Sequence, residues 1–260
     1  MISRIGASIV TVMLLAIATA PVAAQGWNFD IGVNGGGSFY TNSLDDDDLP
    51  FGGGGEFESG WLTGAQATGW LTDIFGIRAN GTYTERPFEL EFGTFGDDAF
   101  VGEIEDINLW SGTGDLLIRF LGVDERGFLG VDFLPFLALG AGAKWIDPAG
   151  GLDVDFDGFD LDGVPFLLTD DALWVLNDET KFMGLVGLGS DIRLARNFGL
   201  RLDIGDRIWD SPISRFTLDD DGDIIAEDDD VGDVVHELYG QLGVHLLLGV
   251  EEPEPVVAAA

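Results

Sequence analysis

Cysteine is absent from this chain, and basic residues are scarce: 12 Lys and Arg stand against 47 Asp and Glu in 260 residues. Without cysteine there are no disulfides, no thiolate-held zinc or iron–sulfur centres and no thiol nucleophile. A formal charge of −35 excludes a nucleic-acid binder, which needs a basic footprint. Beyond residue 24 no stretch of about 18 residues is free of charges and turn residues, so no transmembrane helix is expected. Aromatics are not lacking. The chain has 7 Trp and 19 Phe, and 46 % of it is hydrophobic. Disordered acidic chains are poor in aromatics, so this one is able to build a folded apolar surface.

Residues 1–24 have the three parts of a secretory signal. Arg4 supplies the early positive charge, Ile9 to Ala18 is a short apolar run, and Pro21-Val22-Ala23-Ala24 places small residues before a cut ahead of Gln25. The segment reads as an export address rather than part of the fold. An exported chain without disulfides fits a cell with two membranes, where lipid burial supplies stability instead. The mature folded domain is expected over 25–250, followed by a Pro/Glu-rich periplasmic tail over 251–260.

The mature chain alternates with period two, the period of strands. Trp27, Phe29, Ile31 and Val33 share one face, and Asn28, Asp30, Gly32 and Asn34 the other. The pattern returns from Phe75 to Thr84, from Lys181 to Arg193, from Leu200 to Ile204 and from Glu237 to Leu248. Segments 57–71, 104–120 and 129–145 are noisier but strand-like; in the last, Asp132 and Lys144 are placed inward. Short connections (71–74, 121–127, 195–198) alternate with long acidic ones (41–56, 86–103, 146–180, 211–235). Eight strands with this spacing predict an all-β, antiparallel up-and-down barrel with four long acidic outer loops and both termini at the short-turn end.

One face of these strands is Phe, Leu, Val, Ala and Gly; the other holds charges of both signs. A lumen of eight strands is just wide enough for side chains to fill. Opposite charges that satisfy one another suit it, and a closed barrel leaves no unpaired edge in lipid. Arg78, Asp191, Arg193, Arg201, Asp203 and Glu237 are the expected structural lumen network. Trp27, Trp61, Trp70, Trp145 and Trp209 fall near strand ends and are expected in aromatic girdles. If the faces were reversed, the chain would be a soluble, lipocalin-like carrier.

The stretches Trp70 to Ala79, Pro135 to Gly142 and Phe198 to Asp203 resemble the eight-stranded outer-membrane barrel family, the transmembrane domain of OmpA and its OmpX-like relatives. The resemblance spans roughly 26–250. It implies a monomer in the bacterial outer membrane, with membrane lipid and the outer-membrane assembly machinery as partners. Such barrels often end on an aromatic residue; here the last strand closes with Leu247-Leu248-Gly249-Val250.

Asp153-Val154-Asp155-Phe156-Asp157-Gly158 has the spacing that begins a calcium loop, so Asp153, Asp155 and Asp157 are candidate calcium ligands. Val164 stands where the bidentate Glu would be. No other cofactor is expected. Some eight-stranded barrels are lipid-modifying enzymes, which need His with Ser and a carboxylate. Only His236 and His245 exist, and no His-x-Ser pair occurs, so the reading is non-catalytic. An aqueous porin channel comes with about 16 to 18 strands; the expectation here is a structural or surface-interaction role, with a narrow channel as the competing reading.

Overall fold

The computed structural model describes residues 28–41, 53–95, 98–120, 132–148, 152–156, 159–168, 172–177, 179–195, 197–218, 224–228 and 234–248. The signal segment, Trp27 and the tail lie outside the described residues. Strands β1 (Asn28–Tyr40), β2 (Gly53–Phe57), β3 (Gly60–Trp70), β4 (Phe75–Phe95), β5 (Asp98–Arg119) and β6 (Asp132–Pro148) form the first part of the chain. They are followed by β7 (Leu152–Phe156), β8 (Phe159–Leu168), β9 (Ala172–Asn177), β10 (Glu179–Ala195), β11 (Phe198–Trp209), β12 (Ile213–Leu218), β13 (Ile224–Asp228) and β14 (Val235–Leu248).

Eight of these close into a ring. The order is β4-β3-β1-β14-β11-β10-β6-β5, and β5 returns to β4. Every pairing is antiparallel. The first short turn is held by Thr72, whose hydroxyl accepts the amides of Ile74 (3.2 Å) and Phe75 (2.9 Å), the local bonding that favours Thr in turns. The residues between β5 and β6, 121–131, lie outside the described set.

The alternation fixes the faces. In β14, Val235, Glu237, Tyr239, Gln241, His245 and Leu247 are buried, while Leu238, Leu242, Val244, Leu246 and Leu248 are exposed. Outward apolar side chains continue around the wall: Val33, Ile77, Leu116, Leu139, Val186, Leu202 and Ile204. Monomers in water rarely expose contiguous apolar patches of more than a few hundred Å²; a belt around a closed barrel is suited to hydrocarbon. Aromatics stand on the same outer face: Phe39, Trp61 (82 % exposed), Trp110 and Phe182. Tyr83 stacks on Trp110 with ring centroids 4.4 Å apart, and Trp110 lies opposite Trp145. Trp70 and Trp209 depart from the girdle expectation. Both are 2 % exposed and point into the barrel, because each shares the parity of its strand's lumen-facing residues.

Among the described residues, the outer connections are mostly strands rather than irregular loops. β4 and β5 have 21 and 22 residues, against the roughly 9 to 11 that cross a membrane. They run as one hairpin to the pair Phe95↔Asp98, and β2 pairs with β4 beyond the barrel. β13-β12-β9-β8-β7 make a second, five-stranded sheet. The acidic residues here alternate with apolar ones, as in Phe88-Glu89-Leu90-Glu91-Phe92 and Asp153-Val154-Asp155-Phe156. That is a two-faced strand pattern, and it outweighs the loop tendency of the carboxylates.

Candidate functional site: the charged lumen

Inward positions of the ring converge on the lumen, where six cations and five carboxylates among the described residues are almost fully buried. They sort into three groups. Toward the short-turn end, the Arg201 guanidinium donates from Nε to Asp191 Oδ1 (2.6 Å), from Nη2 to Asp30 Oδ2 (3.1 Å) and from Nη1 to Thr68 Oγ1 (2.6 Å). Arg119 donates to the other Asp191 oxygen at 2.9 Å and lies 3.3 Å over the Trp70 ring. His245 Nδ1 is 3.6 Å from Asp30 Oδ1. Higher up, Arg78 bridges Asp115 (2.7 Å) and Asp203 (2.8 Å). Phe136 lies against both Arg78 and Arg201.

The third group closes the upper lumen. Glu237 accepts from Lys144 Nζ at 2.6 Å and from Arg207 Nη1 at 3.0 Å. Lys144 also sits 4.8 Å from the Tyr40 ring centroid and 4.5 Å from that of Trp209. Arg207 lies over Tyr239. Glycine makes this packing possible: a Cβ on Gly187 or Gly205 would meet the Tyr239 hydroxyl at 3.0 or 2.8 Å. Arg86 is different, because its partners are neutral. It bonds Ser38 Oγ, Thr84 Oγ1 and the carbonyls of Glu58 and Gly60 at 2.6–2.8 Å, tying the break between β2 and β3.

Above these ions the mouth is filled by an apolar cluster of Tyr40, Phe57, Phe88, Ile107, Leu109, Ile146, Leu176, Met183, Trp209, Ile213 and Val235. Phe57 packs on Tyr40, Phe88 and Trp209 with centroids 5.0–5.7 Å apart. A second apolar group, including Leu62, Leu117, Phe136 and Leu185, lies lower in the lumen. The lumen is thus a packed core of ion pairs between apolar layers. Isolated charges here would be prohibitively costly; the pairing is what makes them tolerable.

Five of the six residues expected from the sequence enter these groups. The structure pairs Arg78 with Asp203 and Arg201 with Asp191, and gives Glu237 two cations. Arg193 is half-buried near the short-turn end, opposite Asp132 in register. Asp30, Arg86, Asp115, Arg119 and Arg207 belong to the lumen but were not in the expected set, and Lys144 was placed inward without a partner. Strand parity is the signal that finds them: Arg207 follows Arg201 and Asp203 at even spacing, and Arg119 follows Asp115 after two such steps.

His236 is on the outer wall, where Nδ1 is 2.7 Å from Asp206 Oδ2. The described residues bring no serine hydroxyl to its ring. The calcium candidates lie elsewhere. Asp153 and Asp155 are in β7, facing Asp162 and Asp160 across the β7–β8 ladder, and Phe156 pairs with Phe159. β7 and β8 therefore pair as two antiparallel strands. Asp157 and the side chains of Asp153 and Asp155 lie outside the described residues. Among the described residues no group of three His, Asp or Glu side chains is arranged to hold a metal.

No protein-family model matches the sequence, and comparison with curated proteins gives no match. Solved structures do match. The outer membrane protein OprG from Pseudomonas aeruginosa superposes with a TM-score of 0.54 at 13 % identity, covering 87 % of this chain and 98 % of that one. Neisserial surface protein A gives a TM-score of 0.39 at 12 % identity, covering 84 % and 96 %. With its ring of eight antiparallel strands, outward apolar belt and charged lumen, this chain has the fold of the eight-stranded outer-membrane β-barrels.

Proposed function

We propose that this chain is a bacterial outer-membrane protein, exported by residues 1–24, that holds a stiff acidic surface structure in the envelope and performs no catalysis. The observation that carries the reading is the combination of an outward apolar belt with a lumen closed by ion pairs and apolar layers. The barrel contributes the anchor. The paired hairpins above it, rather than a through-channel, are the part left to meet a partner. Membrane lipid and the assembly machinery are its partners in this reading, and ring closure suits a monomer.

The test is complementation of a host lacking the protein. A variant with the β7–β8 hairpin cut short should insert into the membrane yet fail to restore detergent resistance or surface adhesion. Full restoration by that variant would overturn the surface role. Stable conductance of the wild-type protein in planar bilayers would favour the narrow-channel reading instead.

A second reading concerns cations. The β7–β8 register pairs Asp153 with Asp162 and Asp155 with Asp160, and directly opposed like charges destabilise a ladder. Calcium held by Asp153, Asp155 and Asp157 would relieve that repulsion. Calorimetric calcium binding that disappears in Asp153→Asn/Asp155→Asn would support this, and identical titrations of the two proteins would refute it.

A further inference from the structure

We infer that the upper lumen binds a small monovalent anion of the size of chloride, at a strip of donors formed by Arg207, Trp209 and Ser211. The buried charges of the lumen are nearly balanced as a whole but segregated along its axis. Among the described residues the lower lumen sets Arg78, Arg119 and Arg201 against Asp30, Asp115, Asp191 and Asp203. The upper lumen sets Arg86, Lys144 and Arg207 against Glu237. Arg86 and Lys144 lie 4.9 and 4.8 Å from the centroid of the same Tyr40 ring, and Lys144 and Arg207 share Glu237. Lys181, opposite Lys144 in register, has its own acid in Glu179 at 3.1 Å.

The unmet donors of this region fall on one strip. Arg207 and Trp209 occupy successive inward positions of β11, and Ser211 follows two residues on. Arg207 uses Nη1 on Glu237. Its Nε and Nη2, the indole Nε1 of Trp209 and the hydroxyl of Ser211 are buried without a hydrogen-bond partner among the described residues. The three residues are at most 3 % exposed. Guanidinium and indole N–H groups can only donate, and buried donors are almost always paired.

The chemistry selects the occupant. Uncompensated buried charge is costly, so the missing acceptor is one that also brings negative charge. A neutral acceptor would meet the N–H groups and leave the excess charge in place; a cation would add to it. The anion must also be small, because the apolar cluster containing Tyr40, Phe57, Trp209 and Val235 lies above and Arg207 is packed over Tyr239. Chloride accepts from several N–H groups at once, and hydrogen bonds between ionised partners are the stronger kind. The inference rests on the closed-lumen reading proposed above, since in an open lumen bulk salt would screen the same cations.

The experiment has two arms on the full-length protein in detergent. Crystals grown in sodium bromide locate the halide by its anomalous scattering, and urea unfolding compares sodium chloride with sodium gluconate at equal ionic strength. A bromide peak is expected within hydrogen-bond reach of Arg207 and Trp209 Nε1, together with a urea midpoint that rises with chloride and saturates. At free chloride about 100 times its dissociation constant, the folding equilibrium shifts about 100-fold. Trp209→Phe keeps an aromatic ring and deletes the N–H, so it should weaken the chloride dependence. Water or a carboxylate of the outer segments at that position, or equal midpoints in the two salts, would overturn the anion site. A peak without a chloride-dependent midpoint is a halide bound at crystal concentration only and overturns it too. In each of these cases a retained mobility shift on boiling shows the closed barrel intact, and its loss strikes the closed-lumen reading instead. If Trp209→Phe does not fold, the wild-type peak and titration decide alone.

Discussion

Replacing Glu237 by alanine removes the carboxylate shared by two buried cations. Lys144 and Arg207 are each about 1 % exposed, and both bond to Glu237 at 2.6 and 3.0 Å. Breaking a buried pair by deleting one partner costs about 3–5 kcal/mol, because a charge is left uncompensated. Here two charges are left, and among the described residues the aromatic neighbours Tyr40, Trp209 and Tyr239 remain against them. Contacts of that kind are worth up to about 2 kcal/mol when desolvated, so they offset part of the loss and the expected cost stays near 3–5 kcal/mol. Urea unfolding in detergent, followed by tryptophan fluorescence, reads it directly; Trp209 lies 4.5 Å from Lys144 and reports on the site. The triple change Glu237→Leu/Lys144→Met/Arg207→Met should recover most of the loss, since apolar replacement of a complete buried ion cluster is often neutral or stabilising. A cost below about 1 kcal/mol for Glu237→Ala would mean that these ions are solvated as surface pairs are. The packed-lumen argument would then be wrong.

Arg78→Ala should destabilise strongly, leaving Asp115 and Asp203 unpaired, by about 3–5 kcal/mol; Arg193→Ala, at a half-buried position, should cost much less in the same urea assay. Trp209→Ala should cost about 3–5 kcal/mol as a core truncation, whereas Trp61→Ala, on the outer face, should leave the urea midpoint nearly unchanged. Leu242→Arg places a charge on the exposed apolar belt and should cost about 2–4 kcal/mol if that position lies near the bilayer midplane. Refolding yield into lipid vesicles measures this, and an unaffected yield would place the residue in water.

The barrel was legible where charge and bulk alternate cleanly. β14 sets Glu237, Tyr239, Gln241 and His245 against Leu238, Leu242, Val244 and Leu246, and its faces follow without ambiguity. β3 is harder, because Gly, Ala and Thr dominate Gly60 to Gly69 and fit either face. The two tryptophans that turned inward show a limit of position along a strand as a guide: Trp70 and Trp209 are at strand ends, but parity sends them to the lumen, where they cover Arg119 and Lys144. The outer hairpins were hidden by a different ambiguity. Asp and Glu are poor strand formers, and only the apolar residues interleaved with them reveal pairing such as Val154↔Leu161. The ion partners were the least legible part. Arg201 meets Asp30 across 171 positions of sequence, and only closure of the ring brings them together.

The most direct test of the central claim is electrophoresis of the host's outer-membrane fraction, run unheated and boiled. A closed barrel with its apolar belt in lipid predicts that the protein is found in that fraction and changes mobility on boiling, when the ring opens. A water-soluble protein with the same mobility before and after heating would contradict the account, because the exposed belt of Val33, Ile77, Leu202, Leu242 and Leu246 would then have to be buried by something other than membrane.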